Sequence, residues 1–273
     1  MRRRDLLGAF GGLALAPSIF AAMPQQQIKS IGLQLYTVRA ALEADFDSTL
    51  ARVAAIGYRE VEFAGYFGHS PPEVRAQLEN SGLVSPSAHV SLEAAGAGWE
   101  SLLQDARTIG QKYLVVASVG SVTDIDGYRR IAERFNRAGE IARKAGIALA
   151  YHNHDYEFTP IQGKLPFDVL LEETDPNYVC FEIDLYWIFK GNQDPLRYFK
   201  RWPGRIRMLH LKDAARSPPH DMTEVGAGML DWKRILSGAH TEGVEHFFVE
   251  QDKAADPFAS INASYAYLRQ LRF

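Results

Sequence analysis

From Ile31 onward the chain repeats one pattern: a short apolar, β-rich run, then a longer stretch in which apolar positions recur every three or four residues. That alternation predicts βα units around a parallel sheet. Eight runs are found, over Ile31–Val38, Arg59–Phe63, Val84–Val90, Tyr113–Val119, Ile147–Tyr151, Tyr178–Ile183, Ile206–Leu211 and His246–Glu250. Helices are expected over Phe46–Ala55, Pro72–Asn80, Trp99–Ile109, Ile125–Ala145, Phe167–Glu173, Pro195–Trp202, Trp232–Ser237 and Pro257–Leu271. Gly57, Gly82, Gly110, Gly146 and Gly243 each stand just before the next run, where a left-handed residue ends a helix at little cost.

Eight strands and eight helices fit either a closed barrel or an open doubly wound sheet. The first run is followed by no G-x-G-x-x-G phosphate loop, so the closed form is expected. The reading is an α/β fold, a single (β/α)₈ TIM barrel over residues 24–273, of ordinary length for that architecture.

Residues 1–23 read differently. Arg2-Arg3-Arg4 precede an apolar stretch from Leu6 to Ala22, the layout of an export signal, and Arg3-Arg4 before Asp5-Leu6-Leu7 looks like a twin-arginine signal. Gly8, Gly11, Gly12 and Pro17 interrupt the stretch, which speaks against a membrane anchor. The expectation is a periplasmic protein with no stable membrane insertion after signal removal. Removing this segment takes away three arginines and one aspartate and moves the formal charge from −3 to about −5. A mildly acidic chain lacks the basic footprint of a nucleic-acid binder, which also argues against an endonuclease. Cys180 is the only cysteine, so no intrachain disulfide forms, and its apolar neighbours predict an inert buried thiol.

Polar residues collect where the runs end, which in a barrel of this kind is where the site is built. Run five passes into Tyr151-His152-Asn153-His154-Asp155-Tyr156-Glu157 and run six into Glu182-Ile183-Asp184. Run seven ends in His210-Leu211-Lys212-Asp213 and run eight in Glu250-Gln251-Asp252. One acidic residue after a strand is usually a helix cap. Four successive strand ends carrying carboxylates and imidazoles aim at one axial spot, and that donor mix suits one divalent ion: Mn²⁺, Zn²⁺, Mg²⁺ or Co²⁺.

Gly32-Leu33-Gln34-Leu35-Tyr36-Thr37-Val38-Arg39, Glu60-Val61-Glu62-Phe63, Phe181-Glu182-Ile183-Asp184, His210-Leu211-Lys212-Asp213 and Val249-Glu250-Gln251-Asp252 together resemble the sugar phosphate isomerase/epimerase family, the xylose isomerase-like barrels. The resemblance implies a metal held by a Glu, an Asp, a His and a second Glu from strands five to eight. Asp184, His210 and Glu250 match by position. Strand five departs from the family's Glu-x-His type motif, and Glu157 is favoured as the fourth ligand, with direct coordination by His152 or His154 as the alternative.

Further candidates follow from placement. His152 and His154 share one side of an extended strand and titrate near neutrality, so either can serve as acid or base. Glu157 and Glu250 stand where the family's epimerases pass protons. Lys212 can neutralise an oxyanion beside the metal, or be held in a salt bridge to Asp213 or Glu182. Gln34, Tyr36, Glu62, His89 and Trp187 are candidate substrate contacts, each with a structural alternative as barrel wall or mouth cover. Gly226-Ala227-Gly228-Met229-Leu230-Asp231-Trp232 resembles the family's Gly-x-Gly-x-x-Asp-Trp loop, and Asp231 is read there as a helix cap.

The expected activity is metal-dependent isomerisation or epimerisation of a small sugar or keto-sugar by proton transfer next to a carbonyl. The alternative is a periplasmic 3-keto-glycoside lyase or hydrolase, or a dehydratase. A non-catalytic sugar-binding protein is the alternative of another class.

Overall fold

Eight parallel strands close into one barrel in the computed structural model of the chain, which describes residues 26–96, 98–120 and 122–273. They are β1 (Gly32–Gln34), β2 (Glu60–Phe63), β3 (Val84–Val90), β4 (Tyr113–Val116), β5 (Ala148–His152), β6 (Val179–Asp184), β7 (Ile206–Leu211) and β8 (His246–Val249). Each pairs with its sequence neighbour, and β1 closes on β8 with Gly32 opposite Phe248. The expected single α/β barrel is the observed fold. The proposed signal over residues 1–23 lies outside the described residues, and among those described no helix is long and apolar enough to cross a membrane.

Two runs end earlier than their apolar content predicts. Gln34 Oε1 accepts a hydrogen bond from Tyr36 N (3.0 Å), which starts a 3₁₀ turn over Leu35–Val38 and breaks the strand. Tyr36 therefore leaves the barrel alternation and stands at the rim, 42% exposed. The fourth run stops at Val116. Past Asp184, a short helix (Leu185–Lys190) follows β6 directly, and Asp213–Ala214 pairs with Met222–Thr223 in a small antiparallel ribbon.

Side chains alternate across a strand, so one face of each strand meets the helices and the other fills the barrel. The helix Ile125–Lys144 shows the outer packing: Tyr128, Ile131, Ala132, Phe135, Ala138 and Ala142 are buried at helical spacing. Each large side chain buried this way contributes roughly 1.5–3 kcal/mol. Inside the barrel, Tyr113, Val115, Ala150, Met208 and Phe248 form a separate apolar cluster, with Ala148 and Cys180 packed against it. Cys180 is only half-buried by exposed surface, yet its surroundings push the thiol up to about 12, so it stays protonated.

The pleat then dictates what lies above this plug. Two residues beyond Ala150, Cys180, Met208 and Phe248 come His152, Glu182, His210 and Glu250, on the same strands and facing the same side. The apolar layer is the floor of a polar one.

Candidate metal centre and active site

His210 sits in the middle of the polar layer, fully buried. Its Nδ1 lies 2.8 Å from Glu250 Oε2, and its Nε2 lies 2.7 Å from Glu62 Oε2 and 3.1 Å from Glu182 Oε2. Glu62 is held from below by Gln34, whose Nε2 donates to Glu62 Oε2 (2.7 Å). His89 Nε2 bridges Glu62 (3.1 Å) and Glu182 (3.0 Å), and His152 Nδ1 donates to Glu182 (3.1 Å). His89 and His210 stack with centroids 5.2 Å apart, and His152 lies 4.5 Å from His210.

Asp184 divides its two oxygens between tasks. Oδ1 accepts from Tyr186 N and Trp187 N (both 2.9 Å) and caps the helix Leu185–Lys190. Oδ2 is buried without a well-directed hydrogen bond, although Lys212 Nζ lies 2.9 Å away. Lys212 Nζ is also 2.7 Å from Glu250 Oε2 and 3.0 Å from Asp252 Oδ1. Its salt bridges thus run to Asp184, Glu250 and Asp252 rather than to Asp213 or Glu182.

These donors fit a divalent ion. Asp184, His210 and Glu250 offer three ligand atoms within 4.8 Å of one another. His210 Nδ1 faces the two carboxylates while Nε2–H points to Glu62, the outer hydrogen bond that fixes tautomer and orientation in metal-binding histidines. The orphaned Asp184 Oδ2 is the oxygen such an ion would satisfy. A second group, His89, His152, Glu182 and His210, is equally close but would have to use the His210 nitrogen that already meets Glu62.

Electrostatics separates the two flanking imidazoles. Burial alone would lower His89, but the Glu62 and Glu182 carboxylates overcome it and raise this ring to about 9. Burial, reinforced by the charge of His210, pushes His152 well below its ordinary value. Burial raises Asp184 to about 6 against the pull of Lys212. Lys212 itself is driven well above its ordinary value, because Asp184 and Glu250 outweigh the burial that opposes its charge.

The structure does not bring Glu157 to this centre. Its carboxylate accepts from the Tyr151 hydroxyl and from His154 N (2.9 Å). Tyr151 points out of the barrel toward Phe135 and Phe181, the opposite face of β5 from His152. Glu157 is therefore on the far side of the wall, and the expectation that it is the fourth ligand gives way to a role in holding the β5 exit. At that exit, His154 faces the mouth with Nδ1 buried and unpartnered, its ring near those of Tyr156 and Trp187.

The mouth opens into a cleft of about 780 Å³ whose lining includes Tyr36, His89, His152, His154, Lys212 and Glu250. Gln34 and Glu62 are fully buried beneath it, and Trp187 stands behind His154. Among the proposed substrate contacts, Tyr36 and His89 reach the cleft; Gln34, Glu62 and Trp187 are not part of its lining. Glu182 is the group that reading by strand end passed over, although its i, i+2 relation to Asp184 was the available signal.

The loop after β7 is folded around Asp213, whose carboxylate accepts from Gly226 N, Gly228 N, Leu230 N and Trp232 Nε1. A Cβ on Gly228 would run into Asp213 Oδ1 and Ala214 O, so glycine is required there. Asp231 caps the following helix by accepting from Arg234 N (3.1 Å).

A closed eight-stranded barrel with its polar groups at the C-terminal strand ends defines a TIM-barrel protein with a metal-type site. The family model for the xylose isomerase-like TIM barrel matches residues 50–271, and the chain belongs to that family. It is similar to an inosose dehydratase of Geobacillus kaustophilus, 28% identical over 221 residues, covering 71% of this chain and 70% of that one. An inosose dehydratase of Lacticaseibacillus casei is 26% identical over 268 residues, covering 83% and 89% of the two chains. Among solved structures, a sugar phosphate isomerase/epimerase from Parabacteroides distasonis superposes with a TM-score of 0.80 at 28% identity, covering 93% and 98%. Together these findings support a metal-using enzyme that modifies sugars.

Proposed function

We propose that the chain is a metal-dependent lyase of the dehydratase type, which removes the proton next to a ring carbonyl and expels the oxygen on the following carbon. The observation that carries this reading over isomerisation is the pair of imidazoles on the cleft wall, His89 and His152, with centroids 5.1 Å apart. Elimination needs two partners at once, a base for the C–H and an acid for the leaving oxygen, and environments that push two rings in opposite directions supply both. His152, with Nδ1 on Glu182 and Nε2 3.7 Å from Asp184 Oδ2, takes the α-proton on Nε2, and His89, held as a cation between Glu62 and Glu182, gives a proton to the departing hydroxyl. The C–H electron pair becomes the new double bond, and the C–O pair leaves with the oxygen as water. Asp184, His210 and Glu250 would hold a divalent ion, which would supply the charge to polarise the carbonyl and acidify the adjacent C–H. The curated relatives named inosose dehydratase favour the same direction.

The substrate in this reading is an unphosphorylated cyclic keto-sugar or keto-polyol. Among the described residues Lys212 is the only Lys or Arg in the cleft lining, and three carboxylates already hold it, as Glu62 and Glu182 hold His89, which disfavours a phosphate. A periplasmic setting through the Arg3-Arg4 signal agrees with such a substrate, and changing both residues to Lys should leave precursor in the cytoplasm. Export of the Lys-Lys form at the normal level would remove the twin-arginine route.

The test is incubation of the metal-loaded protein with an inosose in D₂O. Loss of water with a new enone absorbance is expected. Deuterium at the carbon next to the carbonyl in a product of unchanged composition would instead restore isomerase or epimerase activity.

A further inference from the structure

We propose that Lys212 competes with a divalent ion for two of the ion's own oxygens and withdraws to Asp252 when the ion binds. This rests on the metal-dependent reading above and names the residue that sets the affinity of the centre.

Two residues beyond Glu182, His210 and Glu250 come Asp184, Lys212 and Asp252, so the chain sets a lysine from the β7 end between acids from the ends of β6 and β8. The contacts follow from that order. Lys212 Nζ lies 2.9 Å from Asp184 Oδ2, 2.7 Å from Glu250 Oε2 and 3.0 Å from Asp252 Oδ1, with only 3% of the side chain exposed. An ammonium has three N–H donors, and three carboxylates surround this one. Among the described residues, no other Lys or Arg pairs with Asp184 or Glu250.

Two of those three oxygens are the ones a metal needs. Asp184 Oδ1 is committed to the amides of Tyr186 and Trp187, which leaves Oδ2 for an ion, and Glu250 Oε2 is the oxygen that faces His210 Nδ1 at 2.8 Å. Lys212 holds both. A divalent ion ligated by the same pair would stand against the ammonium in a buried setting with little water between them, where like charges repel strongly. The two cations cannot both keep these oxygens.

Asp252 is where the ammonium can go. It lies outside the Asp184–His210–Glu250 group, is 24% exposed and lines the cleft, and its carbonyl is tied to Arg39 Nη2 (3.2 Å), which holds the turn after β8. A flexible four-carbon stem lets Lys212 give up two contacts and keep the third. The lysine also offsets the repulsion between the buried Asp184 and Glu250 carboxylates. One side chain therefore holds the ligands together and lowers their affinity for an ion, and its removal should move stability and affinity in opposite directions.

The experiment measures Mn²⁺ affinity of the EDTA-treated protein by competition with a chromophoric chelator at one pH near neutrality, alongside thermal melting. Lys212→Met should bind Mn²⁺ about tenfold more tightly or better, because the competing charge is gone. The same variant should melt lower than the parent after EDTA and recover on adding Mn²⁺. Asp252→Asn, at a partly exposed position, removes the place of withdrawal and should weaken Mn²⁺ binding by about tenfold. Glu93→Gln removes an exposed carboxylate of the same cleft that does not pair with Lys212, so it measures charge at a distance and should have a smaller effect. In the Lys212→Met background, Asp252→Asn should lose most of its effect, since the two residues act as a unit. Parent-like or weaker Mn²⁺ binding by Lys212→Met would overturn the competition, and equal effects of Asp252→Asn and Glu93→Gln would overturn the withdrawal even if Lys212→Met failed to fold. A parent protein that binds neither Mn²⁺ nor Zn²⁺ would overturn the metal-dependent reading as well.

Discussion

Two imidazole–carboxylate pairs of equal length lie at opposite ends of the barrel. At the N-terminal end His246 Nδ1 is 2.8 Å from Glu60 Oε2, and at the C-terminal end His210 Nδ1 is 2.8 Å from Glu250 Oε2. The strands are shared: β2 carries Glu60 and then Glu62, and β8 leads from His246 through Phe248 to Glu250. What differs is the company. The lower pair keeps some contact with water, at 14% exposure for each side chain, and its neighbours Tyr113, Glu245 and Arg207 pair among themselves. The upper pair is buried among Glu62, Glu182, Asp184 and Lys212, where Glu62 Oε1, Glu182 Oε1 and Asp184 Oδ2 have no hydrogen-bond partner. A pair that satisfies itself stabilises the fold, whereas unsatisfied buried polar groups mark a site arranged for something else.

Removing the imidazole from each pair is the sharpest way to break this comparison. His210→Ala should lose its metal and its turnover, and take from Glu62, Glu182 and Glu250 the imidazole they share. Breaking a buried pair in this way costs about 3–5 kcal/mol. His246→Ala should cost about 1 kcal/mol or less, as for a partly solvated pair, with metal content and activity kept. Elemental analysis and urea unfolding of both variants decide it. Equal losses at the two ends would mean that the upper cluster is merely a larger structural network.

A smaller and more selective effect is expected at His89. Its ring lies outside the Asp184–His210–Glu250 group, so His89→Gln should keep the metal while losing the roughly 10²- to 10⁴-fold that a positioned acid supplies. His152→Gln should also lose rate. Metal loss in His89→Gln would shift the ion to the histidine-rich group.

The contrast between the ends also explains what could be read in advance. Strand periodicity located the barrel and its polar strand ends, because the pleat makes those properties local, and the family resemblance singled out Asp184, His210 and Glu250 among them. Glu182 was available on the same grounds, two residues before Asp184 on one strand face. Tertiary partners were not: Lys212 pairs with residues from β6 and the β8 end, which spacing in the chain does not encode. The 3₁₀ turn that displaces Tyr36 depends on a side-chain cap by Gln34, a choice that apolar patterning does not record. Glu157 failed for a geometric reason. A loop residue five positions beyond His152 can return to either face of β5, and it is the outward Tyr151 that captures it.

Glu157 therefore provides the finest test, with the smallest expected effect on catalysis. Burial pushes its carboxyl up to about 7, against the hydrogen bonds from Tyr151 and His154 N that favour the charged form. The folded chain thus holds a proton that the unfolded chain releases near the ordinary value of 4.5. Stability from this group is fully present below pH 4.5 and is lost as pH rises through 7, since over that window the folded state binds more protons. Glu157→Gln replaces the buried acid with a neutral isostere whose amide oxygen still accepts from His154 N and whose NH₂ can donate to the Tyr151 oxygen. Its unfolding free energy should be flatter across that window and higher at pH 8 by something on the order of 1–3 kcal/mol. Metal content should match the parent, and turnover should stay within about threefold, because the carboxylate lies behind the barrel wall and its role is to hold the backbone at His154. The measurement is urea unfolding at several pH values together with metal analysis of the same samples. A Glu157→Gln protein that loses its metal would return this carboxylate to the ligand set and require the β5 exit to turn inward when the ion binds.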